Sequence, residues 1–386
     1  MPILPEVVER HAVITAWRHD LHQNPELGFD LDRTVGLIAA RLEEFGCDEV
    51  ITGFGKSGIV AIIKGKGQPK NGNPKVIGLR CDMDALAIDE STNLTYSSKN
   101  SGSMHACGHD GHSAMLLGAA QYLAETRNFA GTVVLIFEPA EEVGTGARAM
   151  LDDGLMDRFE IEQVFGLHNL PGLPVGTFGV RQGPALGATD SVEITIEGSG
   201  GHPGTPHKCV DAMLAGAQLL TAFQQIVSQN INPLESAAIS FHEFHCGTTQ
   251  PVVAQRAELK GTIRTLKSDV RDAVHARMQK VANGIATVTG ASIDLKIEGV
   301  DAVVFNHTTP TEHARRAAKE ISDAVVETAP ILIGEDFSYF ARARPGVFVW
   351  CGNGDSASLH HATYDFNDQV ILYGTSYWIK LVENTL

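Results

Sequence analysis

The sequence predicts an α/β protein in two parts: a mostly parallel sheet with helices on both faces, interrupted by an inserted α+β unit of ferredoxin-like order. Three observations carry this expectation. The chain has 386 residues, more than one ordinary core organises. Its first third alternates helical apolar spacing with short continuous apolar runs, as strands buried on both faces do. Its middle changes to segments that alternate apolar and polar residues, as strands with one wet face do.

Helical spacing covers 6–22 and 32–46, and the runs Gly58–Ile63 and Val76–Arg80 read as strands. An Ala-rich helix is expected at Ser113–Thr126, then strands at Thr132–Phe137 and Gln163–Leu167. Ser191–Glu197 alternates cleanly, and a long helix fits Asp211–Ser228. Alternating strands follow near Ala237–Phe244 and Ala257–Thr265, then a helix near Ser268–Thr289 and a strand at Ser292–Glu298. Strand, helix, strand, strand, helix, strand is the split βαβ order of a small α+β sandwich. The expected domains are therefore 1–187 and 299–386 for the large sheet and 188–298 for the insert. A strand at Val347–Trp350 returns the chain to the large sheet.

Composition excludes several function classes. Hydrophobic residues make up 43% and charged residues 20%, ordinary for a globular chain. A net charge of −16 opposes nucleic-acid binding, which needs cations to neutralise phosphates. No apolar run approaches the ~18 residues of a membrane-spanning helix. The run Met1-Pro2-Ile3-Leu4-Pro5-Glu6 lacks the basic and apolar regions of a secretory signal. Six cysteines without paired spacing fit reduced thiols, and the cytoplasm is the expected compartment.

Four polar clusters stand out: Asp82-Met83-Asp84, the stretch from His105 to His112, Pro139-Ala140-Glu141-Glu142, and His168-Asn169 together with His360-His361. Most follow the C-terminal ends of expected strands, the edge where open α/β sheets bind ligands. Cysteine, histidine and carboxylate are the usual ligands of zinc and related metals. Cys107-x-His109 places two such donors on one tight, glycine-containing loop. Adjacent Glu141 and Glu142 can divide the work, one binding metal and the other holding a proton. Two metals ~4 Å apart polarise a carbonyl and acidify water. Taken singly, a histidine or a Glu pair is more often structural, and a buried free cysteine is an inert small hydrophobe. The density of ligand-type side chains between His105 and His112 is what argues for a site. Cys209 and Cys246 read as packing.

The stretch Met104-His105-Ala106-Cys107-Gly108-His109-Asp110-Gly111-His112 closely resembles the signature loop of the M20D peptidase subfamily, which includes hippurate hydrolases, indole-acetyl-amino-acid hydrolases and aminoacylases. The resemblance spans nearly the whole chain. It includes His19-Asp20-Leu21-His22, Asn24-Pro25-Glu26-Leu27-Gly28-Phe29, Asp82-Met83-Asp84-Ala85-Leu86, Pro139-Ala140-Glu141-Glu142 and Gly166-Leu167-His168. It continues through Gly200-Gly201-His202, Gly261-Thr262-Ile263-Arg264, Gly334-Glu335-Asp336-Phe337 and Leu359-His360.

The resemblance implies hydrolysis of the amide bond of N-acyl amino acids or related small amides, with two divalent metal ions per chain. Zinc, manganese, nickel and cobalt all suit such ligands. It implies Cys107, His109, Glu142, His168 and His360 as metal ligands, Cys107 being a bridging thiolate that the metals deprotonate. It implies Glu141 as general base and Asp84 as hydrogen-bond acceptor from a ligand histidine. The insert would be a lid and dimerisation domain in a homodimer or higher homo-oligomer. In it His202 would hydrogen-bond the developing oxyanion across the dimer, and Arg264 would pair with a substrate carboxylate. One departure concerns the substrate. After Gly247-Thr248 the family usually has Asn-Val-Ile-Pro, whereas this chain reads Thr249-Gln250-Pro251-Val252, and Pro251 has no amide to offer. Hydrolysis of another C–N bond, in a dipeptide, carbamoyl amino acid or aromatic amine, is the alternative within enzymes. A non-catalytic metal-binding relic is the alternative outside them, and such a relic would tolerate losing Glu141.

Overall fold

The apolar run Val133–Phe137 forms the middle of the strand Thr132–Glu138, one of four parallel strands at the centre of an eight-stranded sheet. The computed structural model describes residues 3–68 and 75–386; Met1 and Pro2 of the N-terminal run lie outside them. In spatial order the sheet reads Glu49–Phe54, Gly58–Lys64, Thr132–Glu138, Val76–Asp82, Gln163–Pro171, Gly346–Gly354, Phe178–Gly179 and Val325–Val326. The third to sixth of these are parallel. Antiparallel neighbours flank them on both sides.

Alternation along these strands fills two cores. Leu79, Cys81, Leu135, Phe137, Phe165, Leu167, Val347 and Val349 share one core with the helices Pro5–Gln23, Asp32–Glu44, His109–Thr126, Thr308–Ile321 and Val370–Thr385. The intervening Val134, Ile136, Val164 and Phe348 are equally buried. On their side Phe337, which opens the short helix Phe337–Ala343, packs on Phe348 with ring centroids 5.5 Å apart. Burial on both faces is why these strands read as unbroken apolar runs.

Three element ends differ from expectation. The strand expected to stop at Arg80 runs to Asp82, because its ladder with Thr132–Glu138 continues to the pair Asp82 and Glu138. His168 and Asn169, expected after a strand, lie within Gln163–Pro171, where His168 pairs with Trp350. The helix expected from Ser113 starts at His109, so His109 is helical rather than part of a loop. Its entry is set by Gly108, whose φ of 93° an L side chain resists. The helices Thr308–Ile321 and Val370–Thr385 and the strand Glu49–Phe54 were not anticipated.

Two compact units are distinguished: 1–183, 304–329 and 336–386 in the larger, 184–303 and 330–335 in the smaller. The smaller has a four-stranded antiparallel sheet ordered Ser292–Asp301, Ala188–Glu197, Arg256–Thr265, Ala237–Cys246. Between strands run the helices Ala212–Asn230 and Ser268–Thr289. Asp211 caps the first, its carboxylate accepting from the amides of Met213 and Leu214, donors the helix cannot satisfy itself. Val192, Ile194, Ile196, Leu219, Phe223, Val274 and Met278 form the core between sheet and helices. Asp190, buried on the sheet, holds the second helix through Arg271 and His275, at 3.0 Å from each. Among the described residues no helix is long and apolar enough to cross a membrane.

Candidate metal centre

The four parallel strands end at one edge, and each delivers chemistry there. Val76–Asp82 leads into Asp84, and Thr132–Glu138 into Glu141 and Glu142. Between those, Ala140 adopts φ 54°, a left-handed conformation that costs about 1 kcal/mol or more for a residue with a Cβ. The turn aims the amides of Glu141 and Glu142 at Asp84, at 3.2 and 3.1 Å from its two carboxylate oxygens. His168 is carried by Gln163–Pro171 itself. After Gly346–Gly354 the chain loops back to His360, whose amide donates to the Ala106 carbonyl at 2.8 Å. That bond ties His360 to the segment bearing Cys107.

These residues converge. Cys107 Sγ lies 3.4 Å from His168 Nε2. His109 Nε2 lies 3.7 Å from Glu142 Oε1, and His360 Nε2 lies 3.3 Å from Glu142 Oε2. Donor atoms of Cys107, Glu142 and His360 fall within 4.8 Å of one another, as do those of His109, Glu141 and Glu142. His168 shares a third such group with Asp82, His109 and His112. The overlapping groups thus bring together Cys107, His109, Glu141, Glu142, His168 and His360. His361 is exposed and bonds Thr363 Oγ1 at 2.8 Å instead. Asp84 Oδ1 is 3.4 Å from His109 Nδ1, an ionic separation rather than a well-aligned hydrogen bond.

Electrostatics make this a cation-binding pocket. Burial opposes charging His109, yet the carboxylates of Asp82, Asp84 and Glu142 hold its pKa up to about 10. Burial also works against Glu142, but the hydrogen bond from His360 and the charge of His109 keep its carboxyl below its usual value. Burial, reinforced by His112, holds His168 far below an ordinary imidazole. Its Nδ1 faces the Asn169 carbonyl at 2.7 Å, so Nδ1 carries the proton and Nε2 the lone pair. His109 is fully buried, and neither ring nitrogen has a hydrogen-bond partner among the described residues; nor does Glu142 Oε1. Buried polar atoms left this way are costly. A divalent cation that takes the lone pairs of His109, His168 and His360 and the charges of Cys107 and Glu142 satisfies both deficits. The donor set therefore fits zinc-type metals.

Sequence reasoning missed the supports of this centre. Asp82 Oδ1 accepts from His112 Nδ1 at 2.6 Å, and His112 Nε2 faces Asn169. Both nitrogens of His112 are thereby engaged, although its spacing in the signature is that of a ligand. Tyr364, buried beside Asn169 at 2.8 Å, carries no signal in the sequence. Gly108 does: a Cβ there would lie 2.4 Å from Asn169 Nδ2 and 2.7 Å from the Tyr364 hydroxyl. Gly108→Ala should therefore displace Cys107 and lower metal affinity by at least ~10-fold, the range for disturbing groups that orient ligands. Equilibrium metal titration of the stripped variant reads this, and wild-type affinity would contradict it.

His202 and Arg264 belong to the smaller unit. His202 is exposed, and its Nδ1 accepts from the Gly204 amide at 3.0 Å. The proton is therefore on Nε2. Arg264 is half-buried and donates to Thr189 Oγ1 at 2.9 Å.

Comparison with known proteins agrees with this chemistry. Residues 78–384 match the family model of peptidase family M20/M25/M40. A hippurate hydrolase of Campylobacter jejuni is 37% identical over 99% of this chain and 98% of its own. An N-acetylcysteine deacetylase of Bacillus subtilis is 38% identical over 96% of each chain. The crystal structure of a dinuclear metal-binding M20 peptidase from Bacillus subtilis superposes with a TM-score of 0.84, at 35% identity over 97% of this chain and 98% of that one. The chain belongs to peptidase family M20/M25/M40 and is a metal-dependent amidohydrolase of that family.

Proposed function

We propose that this enzyme hydrolyses the amide bond of N-acyl amino acids, with two divalent metal ions held by Cys107, His109, Glu142, His168 and His360. The observation that carries the reading is the convergence of those five residues with Glu141 at one sheet edge. Two relatives named for hippurate and N-acetylcysteine support the substrate class, since both compounds are acylated amino acids. When bound, the metals supply Lewis acidity that polarises the scissile carbonyl and acidifies water. Glu141 removes the proton from the attacking water and passes it to the departing amine. Glu142 and Cys107 contribute negative charge to the cations, and Asp84 holds the Glu141–Glu142 turn through two backbone hydrogen bonds.

Glu141→Gln keeps the shape of the side chain but cannot shuttle a proton. Turnover should fall at least ~10²-fold, the lower end of general acid–base contributions, with metal content retained. Steady-state kinetics with elemental analysis test this; surviving turnover would reassign the base.

Arg264 is assigned to the substrate carboxylate, for which its planar fork of donors is suited. Losing a hydrogen bond to a charged group costs about 1.5–3 kcal/mol. Arg264→Ala should therefore penalise acyl amino acids far more than the matching acyl amides without a carboxyl group. Equal losses on both substrates would give Arg264 a purely structural role.

His202 is assigned as oxyanion donor to the site of the partner subunit in a homodimer formed through the smaller unit. Its exposed Nε2–H suits the task, and such a donor is worth about 2.7–4 kcal/mol. A Glu141→Gln chain and a His202→Ala chain, each inactive alone, should regain part of the activity when mixed. Mixed dimers then contain one site with both residues intact. Action within one chain predicts that the mixture stays dead.

A further inference from the structure

His112 lies among the candidate ligands but is used in another way. Its Nε2 is 3.0 Å from both the backbone nitrogen and the side-chain nitrogen of Asn169. Both are donors, so Nε2 carries a lone pair and Nδ1 the proton that Asp82 accepts at 2.6 Å. The Asn169 amide also donates to the Cys107 carbonyl at 2.6 Å, while its oxygen accepts from the Tyr364 hydroxyl at 2.8 Å. Turning that amide over would set its oxygen against the Cys107 carbonyl, so its orientation is determined. Asp82 is held in turn by Arg80 Nη1 at 2.9 Å. Asp82, His112, Asn169 and Tyr364 are all buried, at 1% exposure or less.

Two strands of geometry meet at Asn169. Its backbone nitrogen belongs to the peptide that joins it to His168, and its side chain grips the peptide carbonyl of Cys107. Cys107 precedes a helix and His168 sits in a strand, so nothing local sets their spacing. Gly108 leaves the space through which Asn169 reaches across.

We propose that His112 is a positioning residue whose Nε2 lone pair holds Asn169 and thereby fixes Cys107 and His168 relative to one another. The inference rests on the reading that Cys107 and His168 hold metal. It removes His112 from the ligand set and gives Asp82 the task of fixing the His112 tautomer. Outer groups of this kind tune affinity by orienting ligands.

The test uses full-length protein stripped by chelator and titrated with Co²⁺, whose thiolate charge-transfer absorption reports Cys107 directly. His112→Gln places an amide oxygen near the Nε2 position and can still accept from Asn169. His112→Asn can replace only the Nδ1 donor to Asp82 and leaves the Asn169 donors unmet. The expected result is a 10- to 100-fold loss of Co²⁺ affinity with an altered thiolate band in His112→Asn. His112→Gln should stay within a few-fold of wild type, and Tyr364→Phe should show a smaller loss. Near-ultraviolet circular dichroism and thermal melting of each stripped variant establish that it is folded. Wild-type affinity and spectrum in folded His112→Asn would overturn the inference, as would equal losses in the Asn and Gln variants, which indicate direct ligation. Should His112→Asn fail to fold, Tyr364→Phe decides, since an unchanged Co²⁺ titration there also overturns it. A wild-type protein that binds Co²⁺ with no thiolate band would instead refute the assignment of Cys107 as ligand.

Discussion

Negative charge buried at the C-terminal edge of the large sheet has to be balanced, and the rest of the site follows from how that is done. An unpaired charge taken out of water costs several kcal/mol even after relaxation. Arg80, itself fully buried, meets Asp82, Glu138 and Asp336. Burial raises the Glu138 carboxyl against the opposing charge of Arg80. Asp82 also lies 3.8 Å from His109, which Asp84 and Glu142 flank at 3.4 and 3.7 Å. Asp82 thus joins the arginine cluster to the histidine that the carboxylates surround. Arg80 offsets part of this buried negative charge, and a divalent cation would offset more of it at Glu142.

Position follows from topology as much as from charge. Parallel strands bring chain segments more than two hundred residues apart to the same edge, so that His360 reaches Glu142. Local features complete the aim. The left-handed Ala140 turns Glu141 and Glu142 toward Asp84. Left-handed His360 is tied back to Ala106. Such strain at residues with side chains persists where surrounding bonds over-determine it.

Much of this was legible in the sequence because chemistry-bearing residues sit at strand ends, where apolar runs give way to Asp82, Glu141 or His168. What escaped shares a physical cause. Ladder hydrogen bonds carry strands past the last apolar residue, so Asp82 and His168 are strand residues that read as loop. Gly108 pulls the helix start back to His109, where no capping side chain announced it. His112 has the side chain of a ligand, and only the fold reveals that its two nitrogens face Asp82 and Asn169. Tyr364 acts through one hydroxyl within an unremarkable stretch. The segment around Pro251 lies exposed in the smaller unit.

Metal stoichiometry coupled to amide hydrolysis tests the central claim most directly. The purified enzyme is stripped with chelator, checked for retained fold, and titrated with a single divalent metal while hydrolysis of an N-acyl amino acid is followed. The account predicts that activity vanishes on stripping with the fold largely kept, then returns to a plateau at about two ions per chain. Undiminished hydrolysis by folded, metal-free enzyme would contradict it.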